Sequence, residues 1–227
     1  MTIRVLLADD QALLRDTFRI LINSAGDLEV VGEASDGAEA VTLAGTLHPD
    51  IVIMDIRMPG TDGLAATTAI CADPALSDVR ILILTTFETD EYVARALRAG
   101  ASGFLGKDVT ADALLDAIRT VADGDALLSP AATKMLVSRF LVTPEPAADT
   151  ALPEHISALT AREREVTIMA ARGMSNTDIA DALCVSPLTI RTHVQRAMTK
   201  IHARDRAQLV VAAYQSGLVQ PGPPAAP

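Results

Sequence analysis

The chain lacks any run of apolar residues long enough to span a bilayer, although 49% of its 227 residues are apolar. Material for real cores is present; material for a transmembrane helix is not. Cysteine is scarce. Cys71 and Cys184 lie far apart and form neither a disulfide framework nor a metal-ligand cluster. Each reads as a small buried apolar residue. Glycines are missing where a dinucleotide cradle would need them. The first apolar run ends in Ala8-Asp9-Asp10-Gln11, which excludes the glycine-rich phosphate fingerprint. A signal-peptide layout is missing too: Met1-Thr2-Ile3-Arg4 runs straight into a strand and an acidic pair. The expected location is cytoplasmic, without membrane association.

What is present is unevenly distributed. The net charge is −10, but residues 1–123 carry −11, residues 124–157 carry −2 and residues 158–227 carry +3. An acidic front and a basic back predict two domains with different partners.

In residues 1–123, short β-branched and apolar runs alternate with helical spacing. Strands are expected at 3–8, 28–34, 51–55, 80–84 and 103–105, and helices at 11–25, 38–47, 63–72, 90–99 and 110–122. Five such units imply an α/β fold with a parallel five-stranded sheet in the flavodoxin-like order 2-1-3-4-5 and helices on both faces. A helix at 126–141, with Ser129 as N-cap and Pro130 after it, and a Pro/Ala-rich extended stretch at 143–153 make up the expected linker, 124–156. Residues 220–227 read as a disordered tail.

Residues 157–219 read as a small all-α block of four helices. Thr160 with Glu163, and Ser175 with Asp178, have capping-box spacing. The helices they open run to Arg172 and Leu183. Cys184-Val185 makes a tight turn, Ser186-Pro187 opens a helix to Ile201, and Asp205 opens a last one over 206–216. Helix, short turn, helix is the helix-turn-helix arrangement.

Chemistry gathers at the strand ends. In this sheet order Asp9 and Asp10 after strand one adjoin Asp55 after strand three. Three close carboxylates repel unless a cation sits among them, and oxygen-only ligands suit Mg²⁺. Thr85 ends strand four with a hydroxyl, and Lys107 follows strand five with an ammonium. A carboxylate nucleophile, a metal and a cation for developing charge fit an aspartyl-phosphate site. Taken alone, Asp55 reads equally as a turn cap; the set of strand-end residues decides against that.

This set, with Phe104 and the turn Met58-Pro59-Gly60-Thr61-Asp62-Gly63, resembles the response-regulator receiver domain over residues 1–123. The resemblance implies that Asp55 accepts a phosphoryl group from a sensor histidine kinase. It implies Mg²⁺ on Asp9, Asp10, Asp55 and the Arg57 backbone carbonyl, with Thr85 and Phe104 as the switch pair. Catalysis would be limited to the chain's own phosphoryl transfer and dephosphorylation. Gly106 departs from the bulky residue that usually precedes the lysine and loosens the backbone there. Phe87, two residues past Thr85, is expected to hinder water at the phosphate or to pack on the fourth helix.

The stretches Leu159-Thr160-Ala161-Arg162-Glu163, Ala171-Arg172-Gly173-Met174-Ser175-Asn176 and Ser186-Pro187-Leu188-Thr189-Ile190-Arg191-Thr192-His193-Val194 resemble the LuxR-type helix-turn-helix. On the third helix, Ile190, Val194, Met198 and Ile201 should face the core. The resemblance makes Arg191, Thr192 and Gln195 the base-reading candidates and Arg196 and Lys200 the phosphate contacts. His193 is expected to pack or to bond a phosphate. Ala207, Val210, Val211 and Tyr214 of the last helix would be shared between core and a homodimer interface.

Both halves together resemble the NarL/FixJ class of two-component transcriptional regulators. The implied function is a phosphorylation-controlled switch acting on promoter DNA. Two alternatives remain from the residues: a metal-dependent phosphohydrolase, for which Arg57 stands where a second carboxylate is needed, and a DNA-binding regulator that works without phosphorylation.

Overall fold

The computed structural model describes residues 2–86, 90–124 and 154–219. Phe87, the expected helix at 126–141, the 143–153 stretch and the tail at 220–227 lie outside them. The chain divides into two compact units, Met1–Leu127 and Leu128–Pro227.

The first unit holds five parallel strands, β1 (Ile3–Ala8), β2 (Leu28–Ala34), β3 (Ile51–Met54), β4 (Arg80–Thr85) and β5 (Gly103–Gly106), in the order β2-β1-β3-β4-β5. Between and after them run α1 (Ala12–Ser24), α2 (Gly37–Leu47), α3 (Gly63–Ala72), α4 (Asp90–Ala99) and α5 (Ala111–Ala122). A single 3-10 turn, Pro74–Leu76, follows α3, where the sequence suggested only a stop.

Period-2 alternation sorts the strand residues into two cores. Leu6, Ala8, Val52, Met54, Ile81 and Ile83 pack with Ala40, Leu64, Ile70 and Ala96 of α2, α3 and α4. Val5, Leu7, Ile51, Ile53, Leu82 and Leu84 pack with Ile22 of α1 and Leu114, Ile118 and Val121 of α5. All four residues of β3 are buried. Each such side chain stabilises by roughly 1.5–3 kcal/mol, against about 1–2 kcal/mol per residue of backbone ordering. A strand covered on both faces therefore holds its conformation and fixes whatever polar residue ends it.

The register sets the strand ends side by side. Ala8 pairs with Met54, Met54 with Ile83, and Thr85 with Gly106. The backbone continues the pattern one step further: Asp55 N–H donates to the Ala8 carbonyl at 2.8 Å, and Lys107 N–H to the Thr85 carbonyl at 2.9 Å. After β3 the chain folds back so tightly that a Cβ on Gly63 would stand 1.9 Å from the Asp55 carbonyl oxygen. Asp62 caps α3 from the Ala65 N–H at 2.7 Å.

The second unit contains α6 (Glu154–Ser157), α7 (Ala161–Ala171), α8 (Asn176–Leu183), α9 (Pro187–Ile201) and α10 (Arg206–Gln215). Both capping boxes form, Thr160 with Glu163 and Ser175 with Asp178. Ser186 caps α9, with Pro187 in its first turn. Ile190 and Val194 are buried, and Met198 and Ile201 pack on the same core.

Two expectations change. The linker was expected to reach residue 156, yet Ile156 is buried in this core beside Leu159, because a short apolar pair anchors α6. Cys184 is exposed, not buried: it holds the left-handed cap between α8 and α9, at φ 52°, which turns its side chain off the core. Ala207, Val210 and Val211 are buried within the chain, and the Tyr214 hydroxyl, half-buried, donates to the Ala171 carbonyl at 2.9 Å. No helix of the described residues is long and apolar enough to cross a membrane.

Candidate functional site

Asp9, Asp10 and Asp55 converge at the carboxyl end of the sheet, each offering an oxygen within 4.8 Å of the others. Asp9 and Asp55 are buried and Asp10 is exposed. The Lys107 ammonium enters between the buried pair, 2.6 Å from Asp9 Oδ2 and 3.1 Å from Asp55 Oδ2. Each buried carboxylate uses its other oxygen on a backbone N–H: Gln11 N to Asp9 Oδ1 at 2.9 Å, and Ile56 N to Asp55 Oδ1 at 2.8 Å. Thr85 is fully buried at the end of β4, near enough to Asp55 to help lower its carboxyl.

Burial pushes the Asp55 carboxyl above its ordinary value, with the charge of Asp9 adding to the shift and Lys107 and Thr85 opposing it. Three carboxylates face one ammonium, so the pocket carries an excess of negative charge with oxygen donors only. That donor set fits a hard divalent cation.

Other residues complete the surroundings. Phe104, in β5, is half-buried and packs on the core that holds Ile83. Arg57 follows Asp55 by two positions, and its guanidinium turns to Tyr92 of α4. Nη2 is 3.2 Å from the hydroxyl, and the cation lies 5.9 Å from the ring centroid. Arg95 approaches the same ring at 5.8 Å. Arg15, in the first turn of α1, donates to the Asp9 carbonyl at 2.6 Å. Sequence reasoning passed over Arg15 and Tyr92. Arg15 carries a usable signal, since a helix opening just after an acidic pair aims its first-turn side chains back at that loop.

In the second unit Arg191, Thr192, Gln195 and Arg196 are exposed along α9. His193 is half-buried, with its Nδ1 shut away from solvent. Lys200 departs from expectation. Its ammonium lies 2.6 Å from Oε2 of the buried Glu163 of α7, so the phosphate contact foreseen for it competes with an internal ion pair.

Two family models match the chain: the response regulator receiver domain over residues 5–119, and the bacterial regulatory proteins of the luxR family over residues 157–213. The chain belongs to the response regulators with a LuxR-type DNA-binding domain. It is 43% identical to the transcriptional regulatory protein YxjL of Bacillus subtilis (strain 168), over 96% of this chain and 98% of that protein. It is 38% identical to the transcriptional regulatory protein LiaR of the same organism, over 96% and 99%. Among solved structures it resembles the response regulator ChrA of a heme-sensing two-component system, with 34% identity, a TM-score of 0.50 and coverage of 96% and 99%. It also resembles a LuxR-family two-component response regulator from Aurantimonas sp. SI85-9A1, with 34% identity, a TM-score of 0.56 and coverage of 62% and 99%.

This response regulator is thus a DNA-binding transcriptional regulator rather than an ordinary enzyme. Its receiver match encloses the acidic pocket, and its luxR match encloses α9. Arg57, where a phosphohydrolase would need a carboxylate acid, is engaged with Tyr92 instead.

Proposed function

We propose that this response regulator takes a phosphoryl group onto Asp55 from a phosphohistidine of a sensor kinase and, so modified, binds promoter DNA through α9 as a homodimer. The observation that carries the reading is the Lys107 ammonium seated between Asp9 and Asp55 at the ends of three different strands.

An Asp55 carboxylate oxygen attacks phosphorus. The phosphorus–nitrogen bond to the kinase imidazole breaks, its electron pair stays on that nitrogen, and an acyl phosphate forms on Asp55. Lys107 lies within reach of the new phosphoryl oxygens and holds their charge. The Thr85 hydroxyl, buried beside Asp55, turns its donor to a phosphoryl oxygen, and Phe104 moves inward behind it. Asp9, Asp10, Asp55 and the Arg57 carbonyl would hold Mg²⁺, which supplies charge neutralisation on the phosphoryl oxygens when bound. In the second unit Arg191, Thr192 and Gln195 address base edges, and Arg196 a phosphate.

Labelling with acetyl phosphate in the presence of Mg²⁺ tests the site. Wild type is expected to incorporate one phosphoryl group that Asp55→Ala does not. Full labelling of Asp55→Ala would overturn the assignment. A gel shift on promoter DNA with and without the phosphoryl donor separates this reading from phosphorylation-independent binding.

A further inference from the structure

Hydrogen bonds and phosphate contacts leave the first turn of α9 unexplained. Leu188 is 73% exposed there, in the company of only Leu13 and Ile20 among large apolar side chains of the described residues. It stands at the second position of the helix. Residues 188, 192, 195 and 199 follow at helical spacing, so Leu188 lies in line with Thr192 and Gln195, with Arg191 and Arg196 on either side.

The polar groups around it are already engaged. The Thr192 hydroxyl donates to the Leu188 carbonyl at 2.9 Å, which leaves its methyl group beside the leucine. The Ser186 and Thr189 hydroxyls are 2.8 Å apart and bond each other, and Ser186 Oγ also accepts the Thr189 N–H. The leading end of α9 therefore presents an isobutyl and a methyl group beside the Arg191 guanidinium.

The first turns of a recognition helix enter the major groove. The apolar feature offered there by a base pair is the thymine 5-methyl group. We propose that Leu188, backed by the Thr192 methyl, is a specificity-determining residue that selects thymine by contact with its 5-methyl group. The proposal rests on α9 being the DNA-reading helix. It predicts a preference that neither arginine nor glutamine on this face would produce.

The test uses the full chain treated with acetyl phosphate and a random duplex library. Sequences selected by the wild type are resynthesised with each thymine replaced in turn by deoxyuridine, which lacks only the methyl group. At one or two positions wild-type affinity should fall about three- to fivefold, the size expected for one methyl leaving an apolar contact. At the same positions Leu188→Ala should lose less than about 1.5-fold, and it should no longer select thymine there. Equal sensitivity of wild type and Leu188→Ala at every thymine overturns the proposal, as does a selected site without thymine. Arg191→Ala and Gln195→Ala tell the two failures apart. If they also leave the selected sequence unchanged, the reading of α9 itself has failed; if they alter it, only the role of Leu188 has. Because Leu188 is exposed, its alanine variant should melt with the wild type, which is checked on the same samples.

Discussion

Lys200 Nζ lies 2.6 Å from Oε2 of Glu163 and ties α9 to the N-terminus of α7. The same carboxylate oxygen accepts the Thr160 N–H at 2.8 Å. Burial works to raise the Glu163 carboxyl, but Lys200 and Thr160 overcome it and hold the group at about 2, below its ordinary 4.5. A depressed carboxylate contributes stability that is fully present above 4.5 and lost as pH falls toward 2. Lys200→Ala should therefore destabilise the chain by about 1–3 kcal/mol near neutral pH, since the pair is buried at one end and half-exposed at the other. The deficit should shrink as pH falls through that window in denaturant titrations. If Lys200 is instead a phosphate contact, stability will hold, and the log–log salt slope of DNA binding will drop by about one.

Gly63 is needed for clearance rather than for an unusual backbone angle. Its missing Cβ leaves room for the Asp55 carbonyl, and its N–H donates to Ile56 at 2.9 Å. Gly63→Ala must push apart backbone that both cores hold in place. A loss of about 3 kcal/mol or more is expected, with weaker acetyl phosphate labelling of Asp55. Urea unfolding followed by tryptic mapping of each unit will show whether the loss falls on the first unit; unchanged stability would refute the steric argument.

Asp55 itself should cost the fold something. Its carboxyl is raised by burial above the ordinary 3.8, so the folded unit binds that proton more tightly than the unfolded chain does. The destabilisation sets in as pH rises through 3.8 and is complete above the raised value. Asp55→Asn should thus melt a few degrees higher than wild type at neutral pH. The gain should disappear as pH falls through the same window, while Lys107 keeps Asp9 as its partner. Thermal melts of the two proteins from acid to neutral pH measure this directly. A melting point for Asp55→Asn at or below that of wild type at neutral pH would count against it.

What could be read from residues alone was whatever local periodicity encodes. The unbroken apolar run Ile51–Met54 marks a strand buried on both faces, and strand ends carrying Asp9, Asp55, Thr85 and Lys107 mark the pocket. Features set by long-range packing could not be read this way. Lys200 looks like one more cation on a basic helix until α7 brings Glu163 beneath it. Asp62-Gly63 reads as a turn, but the reason for glycine is the Asp55 carbonyl, which only the folded β3–α3 loop places there. Ile156 sits among prolines and alanines whose composition suggests a linker, and it becomes core only because α6 folds onto Leu159 and its neighbours. Cys184 reads as a small buried residue, yet the left-handed turn it occupies exposes it.

Arg206 shows why the positive charge of the second unit is a poor guide to DNA contacts. It is only 9% exposed. One guanidinium nitrogen donates to Asn176 Oδ1 at 2.6 Å, and the other to the Met174 carbonyl. The fork thereby joins the start of α10 to the start of α8, the helix that precedes α9 across the tight turn. Replacing it by alanine leaves two half-buried acceptors without this donor, and about 1–3 kcal/mol of stability should go. Arg206→Lys should recover little of that, because a single ammonium cannot span both acceptors in the geometry of the guanidinium. DNA affinity should fall through the loosened seating of α8 and α9, so the salt slope should stay as in wild type while the melting point drops. A slope reduced by about one with an unchanged melting point would instead make Arg206 a phosphate contact.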